Sequence, residues 1–110
     1  MRLPRGEAAI LDLDKIEHYC LNPSHPRGRH KARVFREALG LSQVDAAWLR
    51  QVLLEGASGG EAEQIATDQF GARFRLDVRV SRQGRNAMVR TIWIVRTGED
   101  SPRFVTCWAL

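Results

Sequence analysis

Apolar residues in the first half of the chain recur every three or four positions, the spacing that builds one face of an α-helix. This pattern predicts helices over residues 15–21, 29–40 and 42–55. Prolines in the loop 22–28 bar a regular helix between the first two. The glycine-rich run 56–60 predicts a flexible break after the third helix.

Capping residues support these boundaries. Asp12 or Asp14 suits the start of the first helix, and Ser42 followed by Asp45 is close to a capping box for the third. A short apolar run over residues 8–11 fits an edge strand. Six positions of the third helix are expected to face the core: Val44, Ala47, Trp48, Leu49, Val52 and Leu53.

The second half of the chain changes to a period of two, which predicts strands with one buried face. The alternating apolar positions of the first clear strand are Phe74, Leu76, Val78 and Val80. A turn over 81–86 leads to a returning strand over 87–95, and a second turn over 97–102 leads to a last strand over 103–109. Residues 61–69 are expected to add one more strand.

These elements predict an α+β fold, in which two to three N-terminal helices pack on a three- to four-stranded antiparallel meander. We expect one domain over residues 1–110, with its helical part at 12–56 and its sheet part at 61–109. Strand alternation places Thr91 and Trp93 on one face of the sheet and Arg90 on the other. The same alternation predicts that Phe104, Thr106 and Trp108 share a face, with Thr106 buried.

Composition limits the class of protein. The 110 residues are 44% hydrophobic and 27% charged, which is typical of a globular domain. No apolar run reaches the ~18–20 residues of a membrane span, and the N-terminus has no hydrophobic signal core. Cys20 and Cys107 are far apart in sequence, which favours free thiols and a cytoplasmic location. We therefore expect neither a membrane protein nor a disulfide scaffold.

The charge is unevenly distributed. The net charge is +4, but residues 25–36 carry five cations and no acid, whereas residues 37–72 are acidic and residues 73–110 are again basic. Such asymmetry favours a polyanionic partner, although a genome rich in arginine codons gives the same composition. Cations at the start of the second helix oppose the helix dipole, so a bound phosphate would compensate them. A solvated basic turn is the alternative.

Several side chains of this basic segment suit acid–base chemistry on RNA. His30 and His25 carry imidazoles that exchange protons near neutral pH, and Lys31 can stabilise charge on a phosphate. Trp93 or Trp108 could stack a nucleobase. Four side chains near this segment are of the types that bind zinc: His18, Cys20, His25 and His30. Their spacing matches no recognised zinc-ligand pattern, so we expect no metal.

The run YCLNPSHPRGRHKARVF over residues 19–35, together with segments 89–95 and 102–108, resembles a bacterial domain family of unknown function. Members of that family are short standalone proteins or the C-terminal ends of toxin-like chains. Helices followed by a meander that ends in Val-Thr-x-aromatic are also loosely similar to the RelE, barnase, EndoU and colicin-type ribonuclease superfamily. That similarity implies site roles for His30, Lys31, Arg90 and Thr106, and an antitoxin or immunity protein as partner.

The resulting hypothesis is a cytoplasmic, metal-independent endoribonuclease of the toxin type, without a cofactor, whose substrate is tRNA or mRNA. His30 is expected to act as general acid or base with His25 as its partner, Lys31 and Arg90 to hold the scissile phosphate, and Thr106 to orient it. Five further residues are expected to contact RNA: Arg27, Arg29, Arg33, Arg73 and Arg75. The alternative is a non-enzymatic module whose basic face docks an acidic protein, or a homodimer paired through an edge strand.

Overall fold

The computed structural model describes all 110 residues and confirms the α+β architecture. Its α-helices are α1 Leu13–Lys15, α2 Arg29–Leu39 and α3 Ala46–Gly59, and a π-helical turn over Ile16–Cys20 continues α1. Short 3₁₀ turns lie at Gly6–Ala8 and Gln43–Asp45. The strands are β1 Ala62–Asp68, β2 Gly71–Arg82, β3 Arg85–Arg96 and β4 Arg103–Ala109. None of the helices has the length and apolar character needed to cross a membrane.

The four strands form one antiparallel sheet in the order β1-β2-β3-β4, so the predicted meander is confirmed with four strands. Gln83 and Gly84 form the two-residue turn between β2 and β3, and both have positive φ. Such a turn matches the right-handed twist of the flanking strands. The apolar run at residues 8–11 contributes only an isolated parallel bridge, between Ile10 and Arg103.

The core lies between the helices and one face of the sheet. It is a cluster of 22 buried residues to which the π-helical turn, α2, α3 and all four strands contribute. Trp93 has no exposed surface, and its indole Nε1 donates a hydrogen bond of 2.7 Å to Thr91 Oγ1. A buried indole needs such a partner, and here the partner is another core residue. The interpretation of Trp93 as a nucleobase platform is therefore wrong.

The glycine-rich segment 56–60 is not a flexible break. Helix α3 continues through Gly59, and Gly56 packs on β2 so closely that an added Cβ would lie 2.6 Å from Val78 Cγ2. The glycine is needed for close packing of helix on sheet. Two residues predicted to face the core are exposed. Val44 is 91% exposed in the 3₁₀ turn before α3, and Ala47 lies beside the buried row of α3, which is Ala46, Leu49, Leu53 and Ala57.

A β-bulge in β4 changes the faces predicted for that strand. The register with β3 pairs Trp93 with Phe104 but Ile92 with Thr106, so one extra residue of β4 lies between the two pairs. Phe104 therefore lies on the buried face, whereas Thr106 and Trp108 lie on the opposite face and are only half-buried. The prediction that the three share a face, with Thr106 buried, is wrong.

Candidate functional site

Helix α2 places its cations beside the last strand of the sheet. Its apolar stripe, Ala32, Phe35 and Leu39, is buried and packs toward β3 and β4. Gly40 ends the helix in the left-handed conformation at φ 68°, which satisfies its last carbonyls. Since the buried stripe fixes the rotation of the helix, the residue just before Ala32 lies at the boundary with β4. That residue is Lys31.

Lys31 is the centre of a polar cluster at this boundary. Its Nζ donates hydrogen bonds of 2.8 Å to Thr106 Oγ1 and 3.0 Å to the Tyr19 hydroxyl. The ammonium also lies 4.9 Å from the ring centroid of Tyr19 and 5.6 Å from that of Trp108. No carboxylate lies within ion-pairing distance. An ammonium has three donors, so one remains for an anion.

The bulge in β4 brings Thr106 and Trp108 to the cluster. Both lie on the half-exposed face of the strand, and the two hydrogen bonds from Lys31 connect α2 to β4 and to the π-helical turn. Three segments distant in sequence thus fix the position of one ammonium group. Hydrogen bonds of this kind preorganise a side chain for ligand binding.

His30 is exposed and lines two adjoining cavities. One, of about 450 Å³, lies between α2 and the end of β4, and the other, of about 520 Å³, lies between α2 and the loop before it. The first is lined by His30, Lys31, Val34, Trp108 and Ala109. The second includes Arg29, Arg33 and Arg36. Neither cavity is lined by a carboxylate, so both favour negatively charged ligands.

His25 orders the loop before α2. Its Nδ1 accepts hydrogen bonds of 3.0 Å from the backbone N–H groups of both Arg27 and Gly28, and its ring meets Tyr19 edge-on at 4.8 Å. A nitrogen that accepts two N–H donors carries no proton, which assigns the hydrogen to Nε2. His25 lines neither of the two cavities that His30 lines. The predicted histidine partners therefore do not line a common cavity.

The arginines of α2 and those of the sheet have different surroundings. The cations of residues 25–36 form no ion pair: Arg27, Arg29, Lys31, Arg33 and Arg36. In the sheet, Arg73 pairs with Asp68, and Arg75 Nη2 lies 2.6 Å from Glu63 Oε2. The two sheet arginines that were predicted to contact RNA are thus already paired with acids.

Arg90 is also engaged. Its guanidinium donates to both carboxylate oxygens of Asp77 at 2.9 and 3.0 Å. These hydrogen bonds lower the pKa of Asp77 and raise that of Arg90. Arg90 faces Trp108 across the β3–β4 ladder, but it lines a separate cavity that includes the chain's amino terminus. It lies on the same sheet face as Thr106 without joining the Lys31 cluster.

Two buried thiols lie next to the cluster. The pKa of the Cys20 thiol is lowered to about 7, mainly by a hydrogen bond with Cys107. The nearby Lys31 charge lowers this pKa further, whereas burial raises it. Burial raises the pKa of Cys107 well above its ordinary value. The structure contains no group of three or more His, Cys, Asp or Glu side chains that could hold a metal ion.

Sequence reasoning missed two members of this region. Tyr19 was assigned no role in the site from the sequence, yet its hydroxyl accepts a hydrogen bond from Lys31. Arg36 lies one helical turn beyond Arg33 and lines the same basic cavity. The i, i+4 and i+7 spacing of Arg29, Arg33 and Arg36 in the sequence was the available signal for a continuous basic face.

These features define the molecule as a small α+β domain in which a basic helix meets the last strand of an antiparallel meander at a lysine-centred polar cluster. The chain belongs to the family described as Domain of unknown function (DUF6883), whose model matches residues 2–110. The resemblance to a family of unknown function is thus confirmed. No functionally curated protein matches the sequence. The likeness to the ribonuclease superfamily stays a prediction.

Proposed function

We propose that the domain is an endoribonuclease that acts without a metal ion at the cluster around Lys31. The observation that carries the proposal is the Lys31 ammonium: Thr106 and Tyr19 fix its position, no carboxylate neutralises it, and it faces a cavity shared with exposed His30. An unpaired ammonium held beside a titratable imidazole suits a ligand that is both anionic and cleaved by proton transfer.

The scissile phosphate would bind at the free donor of Lys31. We assign it to Lys31 in preference to Arg90, because the Arg90 guanidinium is already paired with the Asp77 carboxylate through Nε and Nη2, whereas Lys31 has no carboxylate partner. Thr106 acts as a positioning residue by accepting the hydrogen bond that aims the ammonium. Trp108, partly exposed in the same cavity, offers an aromatic face for the adjoining nucleobase.

The proposed reaction is an internal transfer of the phosphate. His30 removes the proton of the ribose 2′-hydroxyl, the 2′-oxygen bonds to phosphorus, and the bond from phosphorus to the 5′-oxygen breaks. Lys31 stabilises the negative charge that develops on the phosphate oxygens. The Tyr19 hydroxyl, whose oxygen accepts a hydrogen bond from Lys31, keeps its own proton to donate and protonates the leaving 5′-oxygen. The products are a 2′,3′-cyclic phosphate and a free 5′-hydroxyl.

The remaining α2 cations would hold the RNA backbone on either side of the cleaved bond. Arg29, Arg33 and Arg36 line the larger of the two cavities beside α2, and Arg27 lies in the loop before this helix. Arginine binds phosphate through two parallel N–H donors, so a row of unpaired arginines suits successive phosphates.

Since both cysteines are free thiols, we also propose a cytoplasmic location.

A second function has one specific observation in its favour. The unpaired cations continue along α2 as far as Arg36, away from the Lys31 cluster. Such a row also complements an acidic surface of a partner protein, for example an antitoxin or immunity protein, without any cleavage.

The test uses a single-stranded RNA oligonucleotide of mixed sequence, incubated with the purified protein in EDTA, beside the same sequence made entirely of 2′-deoxynucleotides. We expect cleavage of the RNA to products with 2′,3′-cyclic phosphates, and no cleavage of the DNA, because the nucleophile is absent. RNA that remains intact at protein concentrations that bind it would overturn the nuclease and favour the docking module.

A further inference from the structure

The larger of the two cavities beside α2 collects three cations in one small space. Arg29, Arg33 and Arg36 all line it, and its volume is about 520 Å³. A cavity of this size holds a single small ligand. Lys31, at which the proposed cleavage takes place, does not line this cavity. The three arginines therefore form a group of charges apart from the proposed catalytic centre.

Their spacing brings the three side chains to one side of α2. Arg33 follows Arg29 by four residues and precedes Arg36 by three, the two spacings that make side chains neighbours on a helix. At 1.5 Å per residue, the outer two Cα atoms lie about 10.5 Å apart along the helix axis. Arginine side chains are long enough to converge on one ligand across that distance.

No acid of the protein offsets these charges. None of the three arginines forms an ion pair. Glu37, the one carboxylate of α2, does not line the cavity. Like charges at these helical spacings repel each other and destabilise the helix. The free protein thus carries a repulsion that a bound anion would relieve.

The number of charges selects the kind of anion. An internal phosphodiester of RNA carries about one negative charge, whereas a terminal phosphate carries about −1.5 to −2 at pH 7. Each further phosphate in a chain adds about one more charge, so a diphosphate or triphosphate group matches three arginines in one cavity. Arginine is also the side chain that binds phosphate oxygens through two parallel N–H donors.

We propose that this cavity is a second anion site, which binds the diphosphate or triphosphate group of a small ligand, either as an inorganic chain or as part of a nucleotide. The proposed function uses the same arginines to hold the RNA backbone, so such a ligand competes with RNA for them. This competition rests on the proposed function. The binding of the phosphate chain does not, because it requires neither Lys31 nor cleavage.

Binding is tested by isothermal titration calorimetry with inorganic triphosphate, in EDTA and without RNA. We expect one site per chain and an affinity that falls in the order triphosphate, diphosphate, phosphate. A parallel titration with ATP distinguishes the two sources of the phosphate chain. ATP that binds at least as tightly as triphosphate identifies a nucleotide site, and weaker ATP identifies a site for the inorganic chain. No saturable binding of triphosphate, or equal affinities for phosphate and triphosphate, would overturn the proposal.

Arg79 provides a matched control, because it is an exposed arginine of the sheet that forms no ion pair and lines a different cavity. Arg33→Gln should weaken triphosphate binding about 10-fold, since a charged hydrogen-bond donor is lost. Arg79→Gln should leave it unchanged. Arg33→Gln should also melt at a slightly higher temperature than the wild type without ligand, because the repulsion on α2 falls. Equal losses of binding in the two variants would show unspecific attraction to a basic protein and contradict a built site.

Lys31→Met separates this site from the proposed nuclease. Triphosphate affinity should be nearly unchanged in this variant, because Lys31 lines only the other cavity. Loss of triphosphate binding in Lys31→Met would place the anion at the Lys31 cluster and overturn the assignment. If the wild type binds triphosphate as described but cleaves no RNA, the proposed function fails and the anion site stands.

Discussion

The contrast between unpaired and paired arginines predicts how RNA affinity responds to salt. Each phosphate neutralised by a protein cation contributes about −0.7 to the slope of log affinity against log salt for a single strand. Five cations of residues 25–36 have no ion-pair partner. If each contacts one phosphate, the slope is about −3.5, so affinity falls roughly 100-fold between 50 and 200 mM salt.

A matched pair of variants locates the binding face. Arg33→Gln removes an unpaired cation of α2, which should reduce the slope to about −2.8 and the loss over the same salt range to roughly 50-fold. Arg75→Gln removes the same charge from the sheet, where Glu63 already pairs it. This second variant should leave the slope near its original value, because no phosphate contact is lost.

The assay is fluorescence anisotropy with a labelled single-stranded RNA, titrated at four salt concentrations for each protein. Thermal melts of both variants check that they are folded. Equal slopes for the Arg33 and Arg75 variants, or a larger change for Arg75, would refute the assignment of the RNA path to α2.

Three other predictions concern the framework of the site. Gly56→Ala should lower the free energy of unfolding, measured in urea, by about 1–3 kcal/mol, because the new Cβ overpacks against the sheet. Gly59→Ala is the control: no atom lies within 4 Å of its new Cβ, so it should raise the free energy of unfolding by up to about 1 kcal/mol. His25→Ala should cost about 1–2 kcal/mol in the same measurement and increase amide exchange in the loop before α2, since two backbone N–H groups lose their acceptor. The hydrogen bonds from Arg90 lower the pKa of Asp77 in the folded protein. The ion pair therefore stabilises the fold at pH values above about 3.9, the pKa of the carboxyl in the unfolded chain. This stabilisation is lost as the pH falls through the lower pKa of the folded state. Asp77→Asn should therefore be less stable than the wild type at neutral pH, with a difference that narrows in acid.

Periodicity in the sequence was sufficient to predict most of the fold. The helix predicted over 29–40 corresponds to α2, Arg29–Leu39, with Gly40 as its cap. The turn predicted over 81–86 contains the observed turn at Gln83 and Gly84, and the last strand lies over 103–109 as predicted. The glycines of α3 were misjudged, because their reason is contact with a strand that comes later in the chain. Local sequence propensities contain no information about such long-range contacts.

The candidate site was predictable only in part, for a similar reason. The superfamily resemblance implied site roles for Lys31 and Thr106, which stay predictions, and the structure joins the two side chains by a hydrogen bond. The bulge in β4 and the position of Tyr19 depend on tertiary contacts that no periodicity encodes. The pairing of Arg90 with Asp77 likewise requires the register of β2 and β3, which the predicted turn over residues 81–86 left open.

The most direct test of the central claim compares two histidines in single-turnover RNA cleavage with EDTA present. His30 shares its cavity with Lys31, whereas His18 is exposed near Asp14 and Glu17 and lines neither α2 cavity. If His30 is the base, His30→Ala should slow cleavage by about 10²–10⁴-fold, and His18→Ala should cleave like the wild type. Equal rates in the wild type and the His30 variant, or no cleavage by the wild type, would contradict an RNA-cleaving site at Lys31.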